Sequence, residues 1–284
     1  MHHSYQRQQG ISFIEVMIGM VLGLIILGGM MTVYVAGKQS YSDGEQLAMM
    51  DTSARNAINI LSRHLEHAGY TSITGIPISD YVLPPTYTIT GSNISTNSNV
   101  EKTVNGSGSN SDTVGIRFRA DTRLYSDCLE IPLKKLEDRL CTGLAPEEKC
   151  SNTADTLIYN SFKIKNSTDK NSVGSSIPNL YCYSSFSSGL GVVEGIENMQ
   201  LLYGIDTNTD KVADRYINAD TLSAESLWGR IISIQVALLV RSRDPFYSKA
   251  QAENFRLLDT EVSTNDRYRR AVYKTVIRLR NLEG

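Results

Sequence analysis

Residues 10–37 read GISFIEVMIGMVLGLIILGGMMTVYVAG, and the 22 positions from Val16 to Gly37 carry no formal charge. At 1.5 Å of rise per residue that run is about 33 Å long as a helix, enough to cross the hydrocarbon core of a bilayer. The ten residues before and including Gly10, MHHSYQRQQG, are polar, with Arg7 their only fixed side-chain charge. A secretory signal peptide places a small-residue cleavage site after its apolar run. Here the chain continues into KQSYSDGEQ, so the expectation is a retained membrane helix. Arg7 on one side and Lys38 on the other give almost no positive-inside signal.

Glu15 is the anomaly in this stretch. A carboxylate at mid-bilayer costs about 2.5–3.5 kcal/mol on insertion scales, and less near the interface. One reading leaves Glu15 solvated at the headgroups. The other has it wait for a positive partner supplied by a second chain. Gly19 and Gly23 form a G-x-x-x-G, with Gly28 and Gly29 beyond, which permits close helix packing but is also ordinary in membrane helices.

Working outward, Leu47, Met50, Ala54, Ala57, Ile58, Leu61 and Leu65 recur at three- and four-residue steps, the apolar face of an amphipathic helix. Gly69, followed by Tyr70, is a suitable C-terminal cap. The pattern predicts one long helix over roughly 11–67. Strands are predicted at Val114–Ala120, Thr156–Lys165, Leu180–Ser184, Ile231–Arg241 and Ala271–Arg280, several of them alternating apolar and polar residues. Val192–Tyr203 fits either helix or strand. The fold class expected is α+β, the long helix on an antiparallel sheet. Residues 91–113, rich in Ser, Asn, Gly and Thr, predict an exposed, mobile loop.

The 284 residues balance 28 Lys+Arg against 30 Asp+Glu, a formal net charge of -2, which gives no footprint for nucleic acid. Histidine occurs at His2, His3, His64 and His67, so the commonest acid–base residue near neutral pH is scarce. There is no G-x-S-x-G, no H-E-x-x-H and no phosphate-cradling glycine loop. His64 and His67 stand three apart on the helix and read as packing or surface residues rather than metal ligands. The four cysteines, Cys128, Cys141, Cys150 and Cys182, contain no C-x-x-C pair. Disulfides in an oxidising compartment therefore outweigh a zinc site, and they put the C-terminal part outside the cytoplasm. The short Cys141–Cys150 loop is entropically cheap to close, leaving Cys128 to pair with Cys182.

Gly10-Ile11-Ser12-Phe13-Ile14-Glu15 ahead of an apolar helix resembles the class III signal of type IV pilins and type II secretion pseudopilins. The resemblance implies cleavage after Gly10 by a prepilin peptidase and N-methylation of Ile11. It also implies a role for Glu15 in compensating the amino terminus of a neighbouring subunit. Ile11 stands where phenylalanine is usual, and the helix lacks the proline of many major pilins. His67-Ala68-Gly69-Tyr70, Val193-Glu194-Gly195-Ile196-Glu197, Leu202-Tyr203-Gly204-Ile205-Asp206 and Arg278-Leu279-Arg280-Asn281 are similar to PilW-type minor pilins. The organisation this implies is a leader over 1–10, an assembly helix over 11–37, its amphipathic continuation over 38–69 and a head over 70–284.

The implied function is a structural subunit in pilus assembly or initiation, not an enzyme. Its partners would be other minor and major pilins, the prepilin peptidase and a tip adhesin, with no nucleic acid. The chain would lie in the inner membrane, head in the periplasm, before assembly and at the cell surface after it. A type II secretion pseudopilin is the near alternative; a membrane-anchored adhesin or calcium-dependent module is the distant one. For calcium, Asp206, Asn208, Asp210 and Asp214 alternate as in the first positions of a calcium loop. Lys211 replaces the turn glycine and Ile217 the bidentate glutamate, so an Asx-rich turn is the preferred reading, with no cofactor expected.

Overall fold

No proline interrupts the polar stretch between the membrane-length run and the amphipathic one, and the chain forms a single helix through it. The computed structural model describes residues 10, 12–71, 78–89, 99–120, 124, 126–131 and 157–281. Helix α1 spans Phe13–Leu65, within the expected 11–67. Contacts divide the chain into two units, Met1–Leu47 and Ala48–Gly284, the division falling inside α1.

In the first unit the described large apolar side chains lie open, among them Phe13, Leu24 and Val33. In the second unit Met50, Ala54, Ala57, Leu61 and Leu65 are buried along one face of α1, as the periodicity predicted. The two alanines keep that face narrow, which allows the helix axis to approach the strands beneath. Leu47, included in the predicted face, belongs to the first unit and is exposed.

The head expected on one sheet has two, plus a hairpin. Strands β1 (Val114–Arg119), β2 (Leu157–Lys170), β3 (Ser176–Ser184) and β4 (Ser187–Glu194) form the first, in the order β1-β2-β3-β4. Strands β5 (Ile196–Ile205), β6 (Arg215–Ile217), β7 (Ile231–Arg241) and β10 (Arg270–Arg278) form the second, in the order β10-β7-β5-β6. Strands β8 (Gln251–Leu257) and β9 (Thr260–Asp266) make the hairpin, and a short helix α2 (Ala219–Glu225) follows β6. All these pairings are antiparallel. One apolar cluster joins α1 to both sheets, through Phe162 and Leu180 of the first and Met199, Leu201 and Leu238 of the second. The α+β expectation holds.

The ambiguous Val192–Tyr203 stretch ends β4 and begins β5. The two strands are separated by Gly195 alone, at φ +83, where the chain leaves one sheet for the other. A Cβ there would stand 3.1 Å from the Arg241 carbonyl, so only glycine suits both the angle and the space. The strands missed in the sequence, β4, β6, β8 and β9, have mixed or polar patterns, such as QAENFRL, whose core contribution is a single buried Leu257.

The loop predicted mobile over 91–113 needs correction where it is described. From 99 onward it is pinned by polar rather than apolar anchors. Thr103 is fully buried; its Oγ1 accepts from the Gly115 amide at 3.1 Å and its own amide donates to the Leu83 carbonyl at 2.9 Å. The Asp112 carboxylate accepts from the amides of Gly106 and Leu201, both at 2.7 Å. Hydrogen-bond capacity, not hydrophobicity, orders this segment, and composition does not report it. Together with Val82, which bridges to Ile116, it covers the outer edge of β1.

Candidate functional site

Gly10 is exposed, and the Ser12 carbonyl accepts from the amides of Glu15 (3.0 Å) and Val16 (3.3 Å), opening α1. Ile11, on the far side of the predicted cleavage, lies outside the described residues. Glu15 therefore sits in the first helical turn, exposed, the sole formal charge between Arg7 and Lys38. Among the described residues it has no ion-pair partner. The apolar stretch that follows is long and apolar enough to cross a membrane, and none of it is buried within the chain. A Cβ added at Gly19, Gly23, Gly28 or Gly29 would meet nothing within 4 Å, so no contact within the chain requires those glycines.

The short head motifs turn out to be joints of the fold. Gly69, at φ +76, ends the turn after α1 and donates to the Arg117 carbonyl at 3.0 Å. Asn281 donates from its side chain to the Glu66 carbonyl at 2.6 Å, tying the chain's last described residue to the end of α1. Glu197, directly after the Gly195 crossover, holds Arg270 of β10.

Residues 161–281 match the family model for type IV pilus-assembly protein W, and residues 5–31 match the prokaryotic N-terminal methylation motif. The chain is a PilW-like type IV pilin. A type IV-like pilin from Thermus thermophilus is 16% identical, over 84% of this chain and 97% of that one, with a TM-score of 0.35. No curated protein matches. The prepilin signal and apolar helix of this pilin fit membrane anchoring, and it is a structural subunit.

Of the cysteines, Cys128 and Cys182 are joined as expected, with a Cα–Cα distance of 6.4 Å across 54 residues of sequence. Cys141 and Cys150 lie outside the described residues. Both bonded sulfurs are buried, and the bridge holds the turn at Asp127–Ile131 against β3. Closing a loop of that length stabilises by about 4 kcal/mol in the chain-entropy account, with measured values commonly 2–4. Replacing both cysteines by alanine should lower the unfolding free energy of the detergent-solubilised pilin by that much, seen as a lower urea midpoint. Trp228, the one tryptophan and buried in the head, is the natural fluorescence reporter. An unchanged midpoint would show that the bridge carries no stability.

His64 and His67 are packing residues. The His64 ring lies 5.8 Å from Phe162 and the His67 ring 5.9 Å from Phe118. Burial, reinforced by His67 and Arg63, pushes His64 down to about 4. A depressed folded value means that stability is full above the unfolded pKa near 6.5 and is lost as pH falls toward 4. Asp112 opposes this, since burial raises its carboxyl to about 7 and favours folding as pH falls through the same window. Comparison of His64→Phe with the parent isolates the first effect. The parent should lose about 2–3 kcal/mol more than the variant between pH 7 and pH 4. Parallel pH profiles would refute it.

The weak metal candidates form nested Asx turns. Asp206 accepts from the amides of Asn208, Thr209 and Lys211, Asn208 from Asp210, Asp210 from Val212, and Asp214 from Thr207. Among the described residues no three His, Cys, Asp or Glu side chains converge on a common point for a metal.

Of the buried arginines Arg117, Arg119 and Arg270, two make contacts that their sequence context does not announce. Arg117 of β1 donates to the Ser79 carbonyl, packs 4.4 Å over the Tyr87 ring and lies 3.8 Å from Asp80. Arg270 is the second, and its side chain is only 2% exposed. The signal was present at β1: VGIRFR has no solvent face for either arginine once every position is buried.

Proposed function

We propose that this pilin is cut after Gly10, methylated at Ile11 and assembled with other pilins through α1, with Glu15 as the acceptor for a neighbour's amino terminus. The observation that carries the reading is Glu15 itself, an uncompensated carboxylate one turn into an apolar, uncovered helix. Leaving it unpaired in lipid is costly, whereas pairing it with the positive terminus of the next subunit removes the cost. The apolar surface of α1 then passes from lipid to the other helices of a filament core, where Gly19 and Gly23 leave room for close approach.

Before assembly the pilin resides in the inner membrane with its head in the periplasm, a placement supported by the Cys128–Cys182 bridge, since such bonds persist in oxidising compartments. The PilW-like head favours pilus initiation with other minor pilins over a type II secretion role, and a scaffold over an enzyme. N-terminal sequencing of the membrane-extracted protein, from cells with a prepilin peptidase, tests the first step. Ile11 should be the first residue; an intact Met1, or a cut after Gly37, would end the reading.

A further inference from the structure

The terminal Arg278-Leu279-Arg280-Asn281 motif is only partly explained by the fold. Leu279 is buried and Asn281 locks the end of α1, but the two arginines face a cleft of about 970 Å³ in the head. Ile78, Tyr81 and Leu279 give it an apolar floor, and Lys211, Arg230, Arg278 and Arg280 give it a cationic rim. Arg280 is paired with Glu66 at 3.0 Å. The others are not so neutralised: Arg230 donates to the Thr207 carbonyl and Arg278 to the Lys211 carbonyl. Among the described residues no carboxylate lies within ion-pair distance of Lys211, Arg230 or Arg278. The Asp206 carboxylate also lines the cleft, but it is turned to the amides of its own loop. On a chain of net charge -2, four cations against Asp206 and Glu66 make a local positive site.

We propose that this cleft receives an acidic peptide segment of a protein partner, its carboxylates on Arg230 and Arg278 and its aliphatic side chains on the floor. Guanidinium groups bound only to carbonyls keep donors for bidentate carboxylate contacts. A floor of aliphatic and aromatic side chains suits peptide side chains, whereas a phosphodiester backbone offers nothing to cover it. The volume accommodates several residues. The proposal is independent of Glu15 and of filament assembly, because its test reads peptide binding alone.

Fluorescence anisotropy of a labelled LEELEEL peptide with the full chain in nonionic detergent provides that test, with LQQLQQL as the neutral control. Binding should appear at low salt and weaken about tenfold in the Arg230→Gln, Arg278→Gln double variant. It should weaken similarly in 0.3 M salt and persist in the exposed-hairpin control Arg256→Gln. Equal binding of LQQLQQL, indifference to the double substitution, or no binding would overturn the proposal. So would tighter binding of a single-stranded oligonucleotide through the same arginines. A chain ending at Asn281 is the last arm. If LEELEEL binds only that chain, the occupant is the pilin's own acidic terminus and the partner assignment fails.

Discussion

The Glu15→Ala pilin should accumulate, cut and membrane-inserted, yet be scarce in sheared filaments. Insertion and cleavage make no use of the carboxylate as a charge partner, so they should survive. Assembly does use it, in the reading proposed here. Removing one member of a buried pair strands the other, at a cost of about 3–5 kcal/mol, which lowers incorporation by roughly two to four orders of magnitude. Quantitative immunoblots of membrane and sheared fractions separate the two stages. If mutant and parent enter filaments equally, Glu15 does no more than sit among headgroups. Glu15→Asp shortens the side chain while keeping the charge and should be intermediate, since a shorter reach weakens the contact without deleting it.

The second large effect is expected at Arg270. Its guanidinium donates to both oxygens of Glu197 and to both of Asp266, at 2.7 Å for the latter pair. Because the sheet order is β10-β7-β5, the Glu197 contact reaches across β7, while the Asp266 contact ties in the end of β9. One side chain thus fastens two strands of the second sheet to the hairpin. Arg241 also approaches Glu197, at 3.6 Å, and would be left as its remaining cation. Arg270→Ala should destabilise the head by about 3–5 kcal/mol. Arg270→Lys should recover little of it, because an ammonium cannot make two forks at once. Urea unfolding read through Trp228 decides the matter, with exposed Arg256→Ala as the neutral reference. A loss below about 1 kcal/mol would mean that Glu197 and Asp266 are adequately solvated without Arg270.

Parts of this architecture could be read from the chain because they depend on short-range pattern. The apolar run from Val16 to Gly37 and the alanine–leucine face from Met50 to Leu65 are both carried by α1. Gly69 ends the turn after it as a cap should. Strand β7 falls on the predicted Ile231–Arg241, since its unbroken apolar run from 236 to 240 declares a strand covered on both faces. What failed shares a cause. The 99–113 segment looked mobile because Thr103 and Asp112 are polar, and the hairpin β8–β9 went unseen because only Leu257 among its residues is buried. Their order comes from distant partners: Gly115 and Leu83 for Thr103, Leu201 for Asp112, β7 and β10 for the hairpin.

The amino-terminal signal and its helix were therefore determined in the sequence, where Gly10, Glu15 and the apolar run stand in a register that needs no folding to be recognised. A helix is a local structure, and lipid or a neighbouring helix selects it by polarity alone. The head's joints were decided only in three dimensions. Glu197 lies 73 residues from Arg270, Asn281 lies 215 from Glu66, and Arg278 meets Arg230 at one cleft only because β10 and the turn before β7 end side by side. Such contacts depend on which strands become neighbours, and that follows from the shared burial of two sheets against α1 rather than from any spacing along the chain.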